Sequence, residues 1–184
     1  MQESSQISPQ DIEKLIANGL EYQNAGKIEV AKNYYLEALK ASPKEPNAIH
    51  FLGVAYHQLE DYEHAEKYLK DAVELKPKDS QAHNHYGCAL FALNKLTEAE
   101  LAFRKSIEFN SSNADALFNL GQLISRGEIL AQIFNDEERE KIASEAVELL
   151  NKAVTLNPDQ LEWKVKLAGA LLQAGKRDLT GKVL

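Results

Sequence analysis

The side chains of this sequence best suited to chemistry are five histidines, one cysteine and a short acidic run. A bound metal would need several imidazole or thiolate donors converging on one point about 2 Å from each. His83 and His85 are two apart, so on a helix they point in different directions; His50 and His57 are two turns apart, and His64 lies as far again beyond His57. Neither pairing suits a shared ion, so the histidines read as polar groove and surface groups, and neither a metal nor a cofactor is expected. Cys88 has no activating neighbour in sequence and no second cysteine with which to form a disulfide. The run Asp136 to Glu140 reads as helix-start charge and solvated surface, not a catalytic carboxylate pair. No Gly-rich phosphate loop, GxSxG elbow or HExxH helix occurs, so no catalytic residue is expected.

The bulk properties point the same way. A chain of 184 residues, 44% hydrophobic and 27% charged, falls in the ordinary globular range, and a single domain spanning residues 1–184 is the expectation. Its 28 acidic and 21 basic residues give a formal charge of -7, which disfavours nucleic acid as a partner. Met1 to Ser8 is polar, with neither a signal peptide nor a membrane span to be read there. A lone cysteine agrees with a reducing compartment, so the cytoplasm is the expected location and no membrane partner is expected.

What must position any functional group is a repeat. Gly19, Gly53, Gly87 and Gly121 recur at one constant interval in the sequence. One helical turn beyond them stand Tyr22, Tyr56, Leu90 and Ile124, on the same helix face. Small and large residues then recur in phase: Ala31, Ala65 and Ala99; Tyr35, Leu69 and Phe103; Ala38, Ala72 and Ser106. Pro43 and Pro77 close two units, with Ser111 where a third proline would stand. Within a unit, Ile49, Leu52 and Tyr56 form one apolar helix stripe and Ala65, Leu69, Ala72 and Val73 a second, so each unit is a helix pair. Glycine or alanine removes bulk where two axes approach, and a large residue fills the space beside it. No pair buries its apolar surface alone, so neighbours must stack. Ser8 suits an N-cap, with Pro9 and Pro46 in first helical turns.

The interval and the landmarks Leu52, Gly53, Tyr56, Ala65, Leu69, Ala72 and Pro77 resemble the tetratricopeptide repeat, whose period is about 34 residues. The resemblance implies an all-α fold: a right-handed superhelical solenoid of antiparallel helix pairs, with repeats at about 12–45, 46–79, 80–113 and 114–160, and a partial fifth at 161–184. It further implies a non-catalytic scaffold that binds a protein or peptide segment in a concave groove lined by the first helix of each pair. Carried onto this sequence, the groove residues are His50, Val54 and His57; Gln81, Asn84, Cys88 and Phe91; and Asp115, Phe118 and Gln122. Amides and imidazoles would bond a peptide backbone while the two phenylalanines take apolar side chains. The family's carboxylate clamp for acidic chaperone tails needs cationic and amide donors. Ile16, Leu20, Phe51, Gln81 and His85 stand at those positions, so the clamp is absent.

The repeat breaks twice. The stretch from Gly121 to Ala146 is about twice as long as its counterpart from Gly53 to Ala65, so the fourth pair carries an insertion. Two arrangements are open. Both helices lengthen by about two turns, projecting roughly 10 Å, which Ile129, Leu130, Ile133 and Phe134 and an Asn135–Glu138 capping box favour. Alternatively, Gly127 stops the first helix at Arg126 and leaves Glu128 to Phe134 as a short helix. Leu130, Ile133 and Phe134 are then either a second contact surface or core packed on Ile142 and Val147. The fifth unit runs out where a polar cap would be expected, and its apolar Leu179, Val183 and Leu184 make self-association at that end a candidate. The alternative functional reading is the recognition arm of a larger enzyme, such as a glycosyl- or sulfo-transferase, with the chain continuing past Leu184.

Overall fold

The computed structural model describes residues 7–126, 129, 133 and 135–183. Among them are ten helices: α1 (Pro9–Asn24), α2 (Ile28–Ala41), α3 (Pro46–Gln58), α4 (Tyr62–Leu75), α5 (Ser80–Ala92), α6 (Leu96–Phe109), α7 (Ala114–Ile124), α8 (Asp136–Leu156), α9 (Leu161–Gln173) and α10 (Arg177–Thr180). The chain divides into two compact units, Met1–Lys95 and Leu96–Leu184. In the first, α1 packs on α2, α2 on α3, α3 on α4 and α4 on α5; in the second, α6 packs on α7, α7 on α8, α8 on α9 and α9 on α10. This is the expected all-helical architecture of adjacent pairs.

Close approach within three of the pairs accounts for the glycines at 19, 53 and 121. A Cβ on Gly53 would lie 2.6 Å from Leu69 Cγ and 3.2 Å from the Leu69 backbone nitrogen. A Cβ on Gly19 would meet Tyr35 Cε1 at 2.4 Å, and one on Gly121 would meet Leu150 Cγ at 2.7 Å. Tyr35, Leu69 and Leu150 are wholly buried. Around them the first unit's core is Ile16, Ala31, Ala38, Ala48, Leu52 and Ala55, and the second's is Leu117, Phe118, Ala153, Trp163, Leu167, Ala170 and Leu171.

The short turn inside every pair but the fourth has its own register. Gly26, Glu60 and Asn94, which recur at the glycine interval, all adopt positive φ (74°, 61° and 58°), as does Gly175 (73°). A left-handed residue ends the first helix and redirects the chain into the second. Glycine adopts this conformation freely and asparagine tolerates it, but Glu60 is strained there. Caps recur as well. Glu45, Asp79 and Asn113, at the same interval, accept from the first-turn amides of α3, α5 and α7. Ser8 caps α1 as expected, with Pro9 in the first turn. Where Ser111 replaces the closing proline, Asn113 Nδ2 donates to Ser106 Oγ at 3.1 Å, so both buried polar groups are satisfied.

The fourth pair is lengthened, but on one side only. Helix α8 has 21 residues against 14 for α2, α4 and α6, which adds about 10 Å. The expectation that both helices extend is corrected: α7 has 11 residues and stops at Ile124. Its C-cap is Ser125, whose Oγ donates to the Gln122 carbonyl at 3.2 Å and so competes for the helix's backbone bonding. The alternative short helix over Glu128 to Phe134 lies mostly outside the described residues. The Asn135 cap is present, accepting from Glu137 and Glu138 N–H. Arg139 bonds Asp136 and the Ile133 carbonyl, tying the incoming connection to the first turn of α8.

Gly53→Ala is expected to destabilise the first unit by about 2 kcal/mol through overpacking against Leu69, measured by urea unfolding. An unchanged midpoint would remove close approach as the reason for the glycine. In contrast, Glu60→Gly should stabilise the protein by about 0.5–1 kcal/mol, as relief of the left-handed strain exceeds glycine's entropic cost.

Candidate functional site

In the first unit α3 packs against both α1 and α5, so the first helices of successive pairs form one wall. Three contacts between these helices stitch it together, and a fourth, from Tyr35 on α2, backs the first of them. Gln23 Nε2 donates to Gln58 Oε1 at 2.6 Å, and Tyr35 Oη donates to Gln23 Oε1 at 2.6 Å. His50 Nε2 lies 2.8 Å from His85 Nδ1, and His57 hydrogen-bonds the Cys88 backbone. The His50 ring also stacks on Phe51, with centroids 5.2 Å apart and planes at 18°.

The candidate groove residues sort by burial. Val54, His57, Cys88 and Phe91 are half-buried and Gln81 is exposed, leaving them surface to offer a ligand. His50 and Asn84 are buried, at 7% and 3% exposure. His50 is therefore spent chiefly on the contact with α5. In the second unit Asp115 is exposed and Gln122 half-buried, while Phe118 is 8% exposed and stacks on Trp163, centroids 4.8 Å apart and planes at 12°. Phe118 supports the α7–α9 packing first. Of the candidate second surface, Leu130 and Phe134 lie outside the described residues, and Ile133 is half-buried.

Electrostatically, the wall of the first unit is neutral near pH 7. Burial lowers the imidazoles of His50 and His57, and burial together with His50 and His57 pushes His85 down to about 4. His83, two positions from His85, instead contacts the Pro77 carbonyl at 2.9 Å, and His64 is held by Asp61 at 2.8 Å. The histidines thus serve three separate places. No group of three or more His, Cys, Asp or Glu side chains among the described residues is placed to hold a metal. Nor is any helix there long and apolar enough to cross a membrane.

Reading the histidines along single helices missed the His50–His85 contact. The signal was spacing across units: His50 and His85 are 35 residues apart, as are Gln23 and Gln58. A separation of one repeat plus one residue brings neighbouring first helices face to face.

Paired helices held at glycine contacts, stacked through a wall of amides, imidazoles and aromatics, define a helical-repeat interaction fold. The chain belongs to the tetratricopeptide repeat family, whose model matches residues 16–80 and 52–114. Proteins of this fold are mainly non-catalytic interaction scaffolds. A search of curated protein sequences finds no match. Among solved structures, MamA superposes with a TM-score of 0.69 at 25% identity, covering 90% of this chain and 89% of that one. The first TPR of Spaghetti (RPAP3), bound to the HSP90 peptide SRMEEVD, gives 0.63 at 27% identity, covering 70% and 100%. Thermobaculum terrenum O-GlcNAc transferase gives 0.65 at 19% identity, covering 77% of this chain but 26% of that one, a likeness of fold alone.

Phe118→Ala should cost the second unit about 3–5 kcal/mol, with the emission of Trp163, the single tryptophan, shifting to the red as its ring is uncovered. Unchanged stability and emission would return Phe118 to the list of free ligand contacts.

Proposed function

We propose that this protein is a non-catalytic scaffold that captures a peptide or protein segment on the inner wall of its first helices. The observation that carries this reading is the accessible set on α3 and α5. Val54 and Phe91 offer apolar contact, while Gln81 and His57 offer hydrogen bonds. All are mounted on a wall whose buried members His50 and Asn84 fix its shape. Amide and neutral imidazole groups suit an extended backbone, whose N–H and C=O groups need both donors and acceptors.

The RPAP3 domain at 27% identity is bound to the HSP90 peptide SRMEEVD, which supports peptide capture as a use of this fold. The same ligand does not fit this wall. Ile16 is buried in the core, Phe51 packs on Tyr35 of α2, His85 is engaged with α3, and the imidazoles are neutral, so no charge-assisted clamp awaits a carboxylate terminus. The preferred segment is accordingly internal and weakly charged, with an apolar anchor for Phe91 and Val54. Asp115 and Gln122 offer an acid and an amide on the second unit for the same kind of contact.

Peptides selected from a random display library on the immobilised full chain provide the test. Gln81→Ala and Phe91→Ala should each weaken a selected peptide about tenfold, since loss of one good contact is worth about 1.4 kcal/mol, with helical circular dichroism unchanged. Failure of the native chain to select any sequence, or equal affinity of both variants and the native chain, would overturn the reading.

A further inference from the structure

The contact between α3 and α5 has a chemistry that peptide capture does not use. His50 Nε2 and His85 Nδ1 face each other at 2.8 Å, with ring centroids 5.0 Å apart and planes at 40°. Only one proton fits between the two nitrogens: one ring donates and the other accepts. A proton on the accepting nitrogen sets N–H against N–H, and the bond is lost. Water can compensate only on the half-buried His85 side, because His50 is buried and stacked on Phe51.

The charged and titratable groups acting on the pair are few. From α3, His57 adds a third imidazole beside His85. At the start of α5, Asp79 favours the charged form of both rings, but its carboxylate is occupied in capping Ala82 N–H at 3.1 Å. At the end of α4, Lys76 opposes a charge on His50.

We propose that the His50–His85 contact is an acid-operated joint, which holds α3 to α5 while one proton is shared between the two facing nitrogens and releases them when the accepting nitrogen is itself protonated. The joint stands without the peptide-binding reading, although its release would also reshape the wall that carries His57 and Cys88.

The direction follows from linkage. His85 titrates at about 4 in the folded chain against 6.5 for an unperturbed imidazole. A histidine depressed in this way contributes stability that is complete above 6.5 and is lost as the pH falls from there towards 4. For His85 alone, these two values raise the opening constant roughly twentyfold between pH 7 and pH 5. That interval lies above the range in which most carboxylates titrate.

Hydrogen exchange at the α3 amides of Leu52, Gly53 and Ala55 in the full chain reads this opening, once corrected for the intrinsic pH dependence of exchange. The native chain should gain roughly twentyfold more opening than His85→Gln between pH 7 and pH 5, and His64→Gln, altering an exposed imidazole, should follow the native chain. Nuclear magnetic resonance of the imidazole carbons provides a second measurement that needs no variant. His85 should remain neutral down to about pH 4. Identical pH dependence of the native chain and His85→Gln, or titration of His85 near 6.5, would overturn the proposal; if His85→Gln fails to fold, the native titration alone decides it.

Discussion

The structure depends on how closely two helices can approach within a pair. At Gly19, Gly53 and Gly121 the space a Cβ would need is taken by Tyr35, Leu69 and Leu150 from the second helix. That contact sets the distance between the axes, and the distance decides how much apolar surface the pair leaves for its neighbour. Alanines at 31, 65 and 146 continue the same constraint, each wholly buried. The large residue opposite the glycine changes from tyrosine to leucine without moving the register, because what each pair keeps is one absent side chain and one filled space. Tyr35 also carries a polar end, and its hydroxyl reaches Gln23 and through it Gln58. The core contact of the first pair is thereby tied to the wall between α1 and α3.

Turns and caps follow from that spacing. A three-residue connection must reverse the chain without spreading the helices, and a left-handed residue in its middle does so. The register is kept even where the residue type is poor for it, as at Glu60. Position in the repeat outranks local preference, because the helices on both sides are already held by burial. The fourth pair shows what happens when the connection is released from this rule. Between Ile124 and Asp136 the connection is far longer, Ser125 ends α7, and Asn135 begins α8 with its own cap. Once the connection is long, the two helices need not grow together, and only the acidic, well-capped sequence from Asp136 onward does.

The pairing, the glycine and alanine contacts and the ends at Ser8, Pro46 and Asn135 were legible because each rests on a periodic or local pattern. The left-handed register at Gly26, Glu60 and Asn94 was equally periodic but hidden, since three different residue types occupy one conformation. The end of α7 was misjudged for a related reason. Apolar residues beyond Ile124 resemble a continuing stripe, and a serine bonding the backbone behind it leaves little trace in hydropathy. For the site, the family pattern implied which positions would face a ligand, but a place in that pattern and an accessible side chain are different properties. His50, Asn84 and Phe118 occupy such positions and are buried, His50 against α5 and Phe118 against α9.

That division of labour bears on what the wall can recognise. A groove whose polar residues were all free would be hydrated and adaptable, with much entropy to lose on binding. Here His50 is fixed by His85 and Phe51, so the accessible residues beside it on the first unit stand on a preorganised base. Preorganisation favours a partner that matches the existing shape over one that demands rearrangement. The same economy makes the wall sensitive to anything that unsettles its buried members. A charge placed on either imidazole would be felt first at a helix contact and only then at the surface, so under the proposed function ligand recognition and helix packing in the first unit would be two readouts of one set of side chains.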